Sequence, residues 1–94
     1  MKHELKIWPQ YYCRVADGSK TFEVRKNDRG FQPGDTVVLR EYDPEAIQYS
    51  EDPLGYDEHK GNYTFSKDLN FKVGYVLPID SERVVFSLLP FGEL

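Results

Sequence analysis

Ninety-four residues, 39% hydrophobic and 30% charged, describe one globular domain, with too little chain for a second core. The net charge of −4 excludes a general nucleic-acid coater, which needs surplus lysine and arginine to release counterions. No apolar run approaches the ~20 residues of a membrane helix, no leader pattern opens the chain, and Cys13, the single cysteine, has no internal partner; the expectation is a cytoplasmic monomer without disulfides.

His3–Ile7 alternates cleanly, with His3, Leu5 and Ile7 on one side and Glu4 and Lys6 on the other, as a strand requires. Trp8-Pro9 interrupts it, and a proline suits the first position of a helix, where its missing N–H has no partner to lose. A short helix is predicted over Pro9–Ala16, with Tyr12, Val15 and Ala16 at helical spacing and Asp17-Gly18 as its stop. Cys13 falls inside it, as a buried, inert thiol. Trp8, Tyr11 and Tyr12 read as core and rim packing, or as aromatic platforms on which a base could stack.

The next strand places Phe22 and Val24 on one face and Thr21, Glu23 and Arg25 on the other. A polar turn at Asn27–Gly30 and another at Pro33-Gly34 lead into a third strand, Thr36–Tyr42, whose Val37-Val38-Leu39 run predicts burial on both faces. From Asp43 to Asn62 the apolar periodicity vanishes among prolines, glycines, acids and tyrosines, and a long acidic loop is predicted there, its irregular chain extending to about Lys67. Its acids and His59 match neither a calcium-loop nor a zinc spacing, so no metal is expected. Tyr63–Phe65 opens a further strand pattern, and Leu69–Leu77 with Arg83–Leu89 form a hairpin about Pro78–Ser81. The fold class is mainly β (α+β): five to six strands, one short N-terminal helix and the acidic loop, curled into a small, partly open β-barrel.

Charge is distributed unevenly. Residues 1–40 hold eight Lys or Arg against five acids, and residues 41–94 hold four against eleven. A basic segment on an acidic chain suits a discrete anion-facing site better than a broad phosphate track. Lys20, Thr21, Glu23, Arg25 and Lys26 crowd one strand, with Lys6 and Trp8 nearby in the first segment. The bland account of that strand is a solvated face with ordinary surface charges. The functional account is a cleft in which Glu23 accepts from a base amine, Arg25 bonds a base edge or phosphate, and Lys20 and Lys26 contact phosphate.

H-E-L-K-I at 3–7, G-S-K-T-F-E-V-R-K-N-D-R-G-F at 18–31 and P-G-D at 33–35 together resemble the ASCH domains of the PUA-like superfamily, in a small bacterial and phage branch. The resemblance is dense over residues 3–42 and returns weakly over Val73–Leu89. It implies a single PUA-like barrel over residues 1–94, RNA or a nucleotide as partner, and no cofactor. Some ASCH proteins are amidohydrolases acting on acetylcytidine through a Lys-x-x-Thr arrangement and a distant Glu. Lys20 matches that lysine, but Glu23 occupies the threonine position and no distant partner, Glu82 included, is assignable. Catalysis by Lys20 and Glu23 is therefore the alternative reading, and binding the first. A third is a protein-interaction role for the acidic loop through Tyr49, Tyr56 and Tyr63.

Overall fold

The computed structural model describes residues 1–52 and 55–91, the side chains of 47–52 and 55–59 excepted. Its elements run β1 (Lys2–Ile7), α1 (Pro9–Ala16), β2 (Phe22–Lys26), β3 (Thr36–Asp52), β4 (Gly55–Tyr63), β5 (Leu69–Pro78) and β6 (Arg83–Pro90). The sheet order is β1-β3-β5-β6-β2, with β4 paired to the distal part of β3. The fold is thus mainly β with six strands and one short helix. β1 and β3 are parallel, Lys6 lying opposite Arg40 in the register. β2 reaches the far edge by pairing antiparallel with β6, Glu23 opposite Phe86.

The inward faces follow the alternation. Leu5 and Ile7 of β1, Val37 and Leu39 of β3, Val73 of β5, and Val84, Phe86 and Leu88 of β6 form one core with Val15 of α1 and Phe31. Val38, facing the other way, is also buried, so β3 is covered on both faces as its apolar run predicts. Burying each such side chain stabilises by roughly 1.5–3 kcal/mol, so this core outweighs any ion pair at the surface. Phe31 is the bridge between the sheet's two halves: its ring lies 4.7 Å from His3 of β1 and 4.7 Å from Phe86 of β6. His3, itself buried, donates from Nε2 to Asp35 at 2.9 Å, and the Gln32 N–H donates to the same carboxylate at 3.0 Å. That polar knot pins the start of β1 to the start of β3.

The sheet is not closed into a barrel. Its path ends at β1 on one side and β2 on the other, and these two edges do not pair. A groove lined by residues of both edges and by Tyr11 of α1 lies between them.

Two expectations are corrected here. The long loop is a pair of strands instead: beyond Asp43 the chain pairs Ile47 with Lys60 and continues to Asp52 opposite Gly55. Cross-strand bonding satisfies a backbone whose side chains carry no core-facing alternation, so composition alone reads as loop. Aromatic and β-branched residues such as Tyr42, Ile47 and Tyr63 supply the strand preference. The register shift between Asp43 and Ile47 accommodates Pro44, which has no N–H for a ladder. Of the strand pattern at Tyr63–Phe65, only Tyr63 belongs to a strand, and residues 64–68 are irregular. Cys13, secondly, lies on the exposed side of α1, because Val15 is the helix residue that faces the core.

Candidate functional site

Local structure places Lys20. α1 begins with Pro9 at its first turn and an extended Trp8 before it. It stops at Asp17, whose N–H bonds Cys13 O, and Gly18 then takes φ +84°, a left-handed conformation that favours glycine. The Ser19 N–H bonds the Asp17 carboxylate, and the Lys20 N–H returns to Arg14 O at 2.9 Å. This reverse turn sets Lys20 beside the free edge of β2.

β2 is inverted relative to its polarity. Glu23 is 3% exposed, whereas Phe22 and Val24 are 46% and 44% exposed. Burying a carboxylate is costly unless it is paired and hydrogen-bonded. Glu23 is both: Oε1 accepts from Lys20 Nζ, and Oε2 accepts from Arg25 Nε at 2.8 Å and Nη2 at 2.7 Å. Lys20 Nζ also donates to Phe22 O at 2.7 Å, a carbonyl of the unpaired edge. The two cations remain partly open to solvent, at 20% and 23% side-chain exposure. A buried anion therefore holds two cations at fixed positions, and they face outward.

Above this clamp lies a cavity of about 520 Å³ lined by Lys6, Ile7, Trp8, Tyr11, Lys20, Glu23, Val24 and Arg25. It occupies the seam between the two sheet edges. Trp8 and Tyr11 give it planar, apolar surface, and Lys20, whose Nζ is 5.9 Å from the centre of the Tyr11 ring, and Arg25 give it the clamped cations. Lys6 reaches it from β1, its Nζ 4.2 Å from the centre of the Tyr42 ring. Trp8 lies 6.0 Å from the same ring, and Tyr42 meets Tyr63 edge-on at 5.2 Å.

The structure thus brings together Lys6, Trp8, Lys20, Glu23 and Arg25. It leaves Thr21 and Lys26 out: both are exposed and neither lines the cavity. Thr21 uses its carbonyl to accept from the Leu88 N–H, and Lys26 sits at the end of β2 opposite Arg83. Glu23 lines the cavity as expected, with its oxygens already accepting from Lys20 and Arg25. Arg29, Arg40 and Tyr42 escaped the sequence reading, and Tyr63, read there as an interface tyrosine, stands beside Tyr42 at the seam. Arg40, Tyr42 and Tyr63 arrive at the seam through pairing, Lys6 lying opposite Arg40 and Tyr42 opposite Tyr63, and Arg29 reaches it from the turn after β2 through its hydrogen bond to Glu4 O. The end of the Val37–Leu39 run at Arg40 was the one local signal.

No group of three or more His, Cys, Asp or Glu side chains converges among the described residues. The loop acids Glu51, Asp52, Asp57 and Glu58, with His59, and the interface tyrosines Tyr49 and Tyr56 have side chains outside the described set. Among the described residues no helix is long and apolar enough to cross a membrane. Glu82, the distant carboxylate weighed for catalysis, lies in the turn before β6 and does not line the cavity.

Part of the chain is similar to a protein of Escherichia phage P2 described as an uncharacterized 12.9 kDa protein in the GpA 3′ region. The two are 42% identical over 40 residues, covering 43% of this chain and 37% of the phage protein. A family model described as a domain of unknown function matches residues 2–78, from the first residue of β1 to the last of β5. That span holds every residue of the cavity, and the chain belongs to this family, DUF3850.

Proposed function

We propose that the chain is an RNA- or nucleotide-binding module of the ASCH type, holding one base in the cavity at the open seam of its sheet. One observation carries the reading: a buried glutamate that organises two outward cations beneath an aromatic wall, in a strand whose phenylalanine is left outside. A strand shaped only by stability would bury Phe22 and expose Glu23. Local departures from that rule concentrate at functional sites. The aromatic wall offers stacking to any base face, and Arg25 and Lys20 offer donors to a base edge or phosphate.

For amide hydrolysis the cavity offers Lys20 and Glu23 but no threonine beside them. Both oxygens of Glu23, at the position of the missing threonine, are engaged by cations, and Thr21 lies outside the cavity.

Trp8 is the only tryptophan and lines the cavity, so its fluorescence reports on occupancy. Titrating short single-stranded RNA should quench it, with affinity falling as salt rises. Lys6→Glu, on an exposed position of β1, should weaken binding and flatten the salt dependence. Unchanged affinity in that variant and in Arg25→Gln would overturn the assignment.

A further inference from the structure

A second cavity, of about 390 Å³, adjoins the first and shares Lys6 and Arg25 with it. Its character is different. Glu4, Leu5, Lys6, Arg25, Arg29, Arg40 and Tyr63 line it: four cations, one carboxylate and a single aromatic ring. We infer that this cavity is the phosphate subsite of the same ligand, so that the unit recognised is a nucleoside phosphate with its base in the first cavity and its phosphate in the second. The inference rests on the nucleotide reading above and assigns the phosphate to Lys6, Arg29 and Arg40, outside the charged strand, together with Arg25 of that strand.

The like charges are the strongest argument. Lys6 and Arg40 are register partners on neighbouring strands, an arrangement that disfavours the sheet when nothing anionic lies between them. Each is instead seated on a tyrosine, Lys6 over Tyr42 at 4.2 Å and Arg40 over Tyr63 at 4.3 Å. Those rings position the cations without neutralising them. Lys6 forms no ion pair among the described residues, and Arg40 has only the half-exposed Asp68 at 3.5 Å. Arg29 crosses the seam from the turn after β2, donating from Nη1 to Glu4 O at 3.3 Å on the free edge of β1. Its carboxylate neighbour, Asp28, is exposed and 4.0 Å away. Arg25, held by Glu23 through Nε and Nη2, has Nη1 left to donate at the junction of the two cavities. An anion in the second cavity offsets this repulsion, and a phosphate has the oxygens to accept from several donors at once.

The division also explains the walls. Stacking surface from Trp8 and Tyr11 belongs to the first cavity alone, and Arg29 and Arg40 to the second alone. A ligand spanning both must be planar and apolar at one end and anionic at the other, joined across Lys6 and Arg25.

The test compares the four ribonucleosides with their 5′- and 3′-monophosphates, using Trp8 fluorescence for the base cavity and amide shifts at Arg29 and Arg40 for the other. At low salt at least one monophosphate should bind about tenfold or more tighter than its nucleoside. In the Arg29→Ala/Arg40→Ala variant that gap should close while nucleoside affinity stays unchanged. Should the variant fail to fold, the wild-type shifts decide: monophosphates must move Arg29 and Arg40, and nucleosides must not. Nucleosides and monophosphates binding equally, with Trp8 responding to both, would overturn the subsite and leave the base-binding reading standing. Inorganic phosphate moving Arg29 and Arg40 without any such gap would make the second cavity a separate anion site, which also overturns it. Silence at Trp8 with every nucleoside, monophosphate and RNA would overturn the nucleotide reading itself.

Discussion

Glu23 and Arg25 meet through a single oxygen: Oε2 accepts from Nε at 2.8 Å and Nη2 at 2.7 Å, while Oε1 is taken by Lys20. The carboxylate is buried and its partners are partly exposed, so the three residues are not equivalent. Removing a cation leaves an anion that still has one partner and can admit water. Removing the anion leaves two close cations with nothing between them. Glu23→Ala should therefore destabilise most, by about 2–4 kcal/mol, and Lys20→Ala and Arg25→Ala by about 1–2 kcal/mol each. Urea denaturation of the three variants measures the order. Equal losses in all three would mean that the clamp is not organised around Glu23.

A second carboxylate links stability to acid. The hydrogen bond from His3 holds Asp35 below the ordinary aspartate value of 3.8, with the Gln32 N–H adding to it against the opposing effect of burial. A depressed value in the folded state contributes stability that is present above 3.8 and lost as pH falls through the folded value. Asp17, bonded by Ser19, and Asp80, bonded by the Glu82 N–H and by Arg83, shift in the same direction. Denaturation midpoints should thus fall with pH below about 4. Asp35→Asn should remove part of that slope while Asp17 and Asp80 keep the rest. A slope unchanged in Asp35→Asn would detach the His3–Asp35 knot from acid stability.

The parts of this molecule legible from sequence are those set by neighbours in the chain. Pro9 and Asp17-Gly18 bound α1 as read, and the alternation of β1 gives its inward face, whereas in β5 a register shift between Val73 and Val76 turns Tyr75 and Leu77 outward and Val76 toward the core. The mainly β architecture with one short helix is as read, and the sheet does not close into a barrel. What was not legible depends on distant residues. The burial of Glu23 is decided by Lys20 and Arg25 together with the strand that β2 joins, so alternation locates the strand but not which face is wet. Along the distal hairpin of β3 and β4 the sequence itself has no apolar alternation to create a period. Arg40 joins the seam because β1 pairs parallel with β3, a contact more than thirty residues apart in the chain.

That hairpin is coupled to the seam through Gly61. Its φ of +98° is strained for any side chain, and a Cβ there would collide with the Tyr42 hydroxyl and ring edge. Tyr42 is the ring beneath Lys6 and the neighbour of Trp8. Gly61→Ala should cost about 1–3 kcal/mol of stability, change the Trp8 emission of the unliganded protein, and weaken RNA binding, although residue 61 lines neither cavity. A destabilised variant with unaltered emission and affinity would show that the ring's position is immaterial to the site.

The inverted strand makes the sharpest comparison, because hydrophobicity and structure order its residues oppositely. Phe22 and Val24 face solvent on an edge strand, where apolar side chains invite pairing with other chains and contribute little to the core. Phe22→Thr and Val24→Thr should each shift stability by less than about 1 kcal/mol and reduce aggregation at high concentration. Phe86, opposite Glu23 and fully buried, should lose about 3–5 kcal/mol on substitution by alanine. Glu23→Leu discriminates most directly. If this edge merely tolerates a carboxylate, leucine, which leaves Lys20 and Arg25 without their shared anion, should cost stability without altering RNA-dependent quenching of Trp8. If Glu23 serves to hold Lys20 and Arg25 in place, the same variant should keep its fold by circular dichroism yet lose RNA-dependent quenching of Trp8. Retained quenching in a folded Glu23→Leu protein would remove the glutamate from the site and leave the aromatic wall and the second cavity to account for binding.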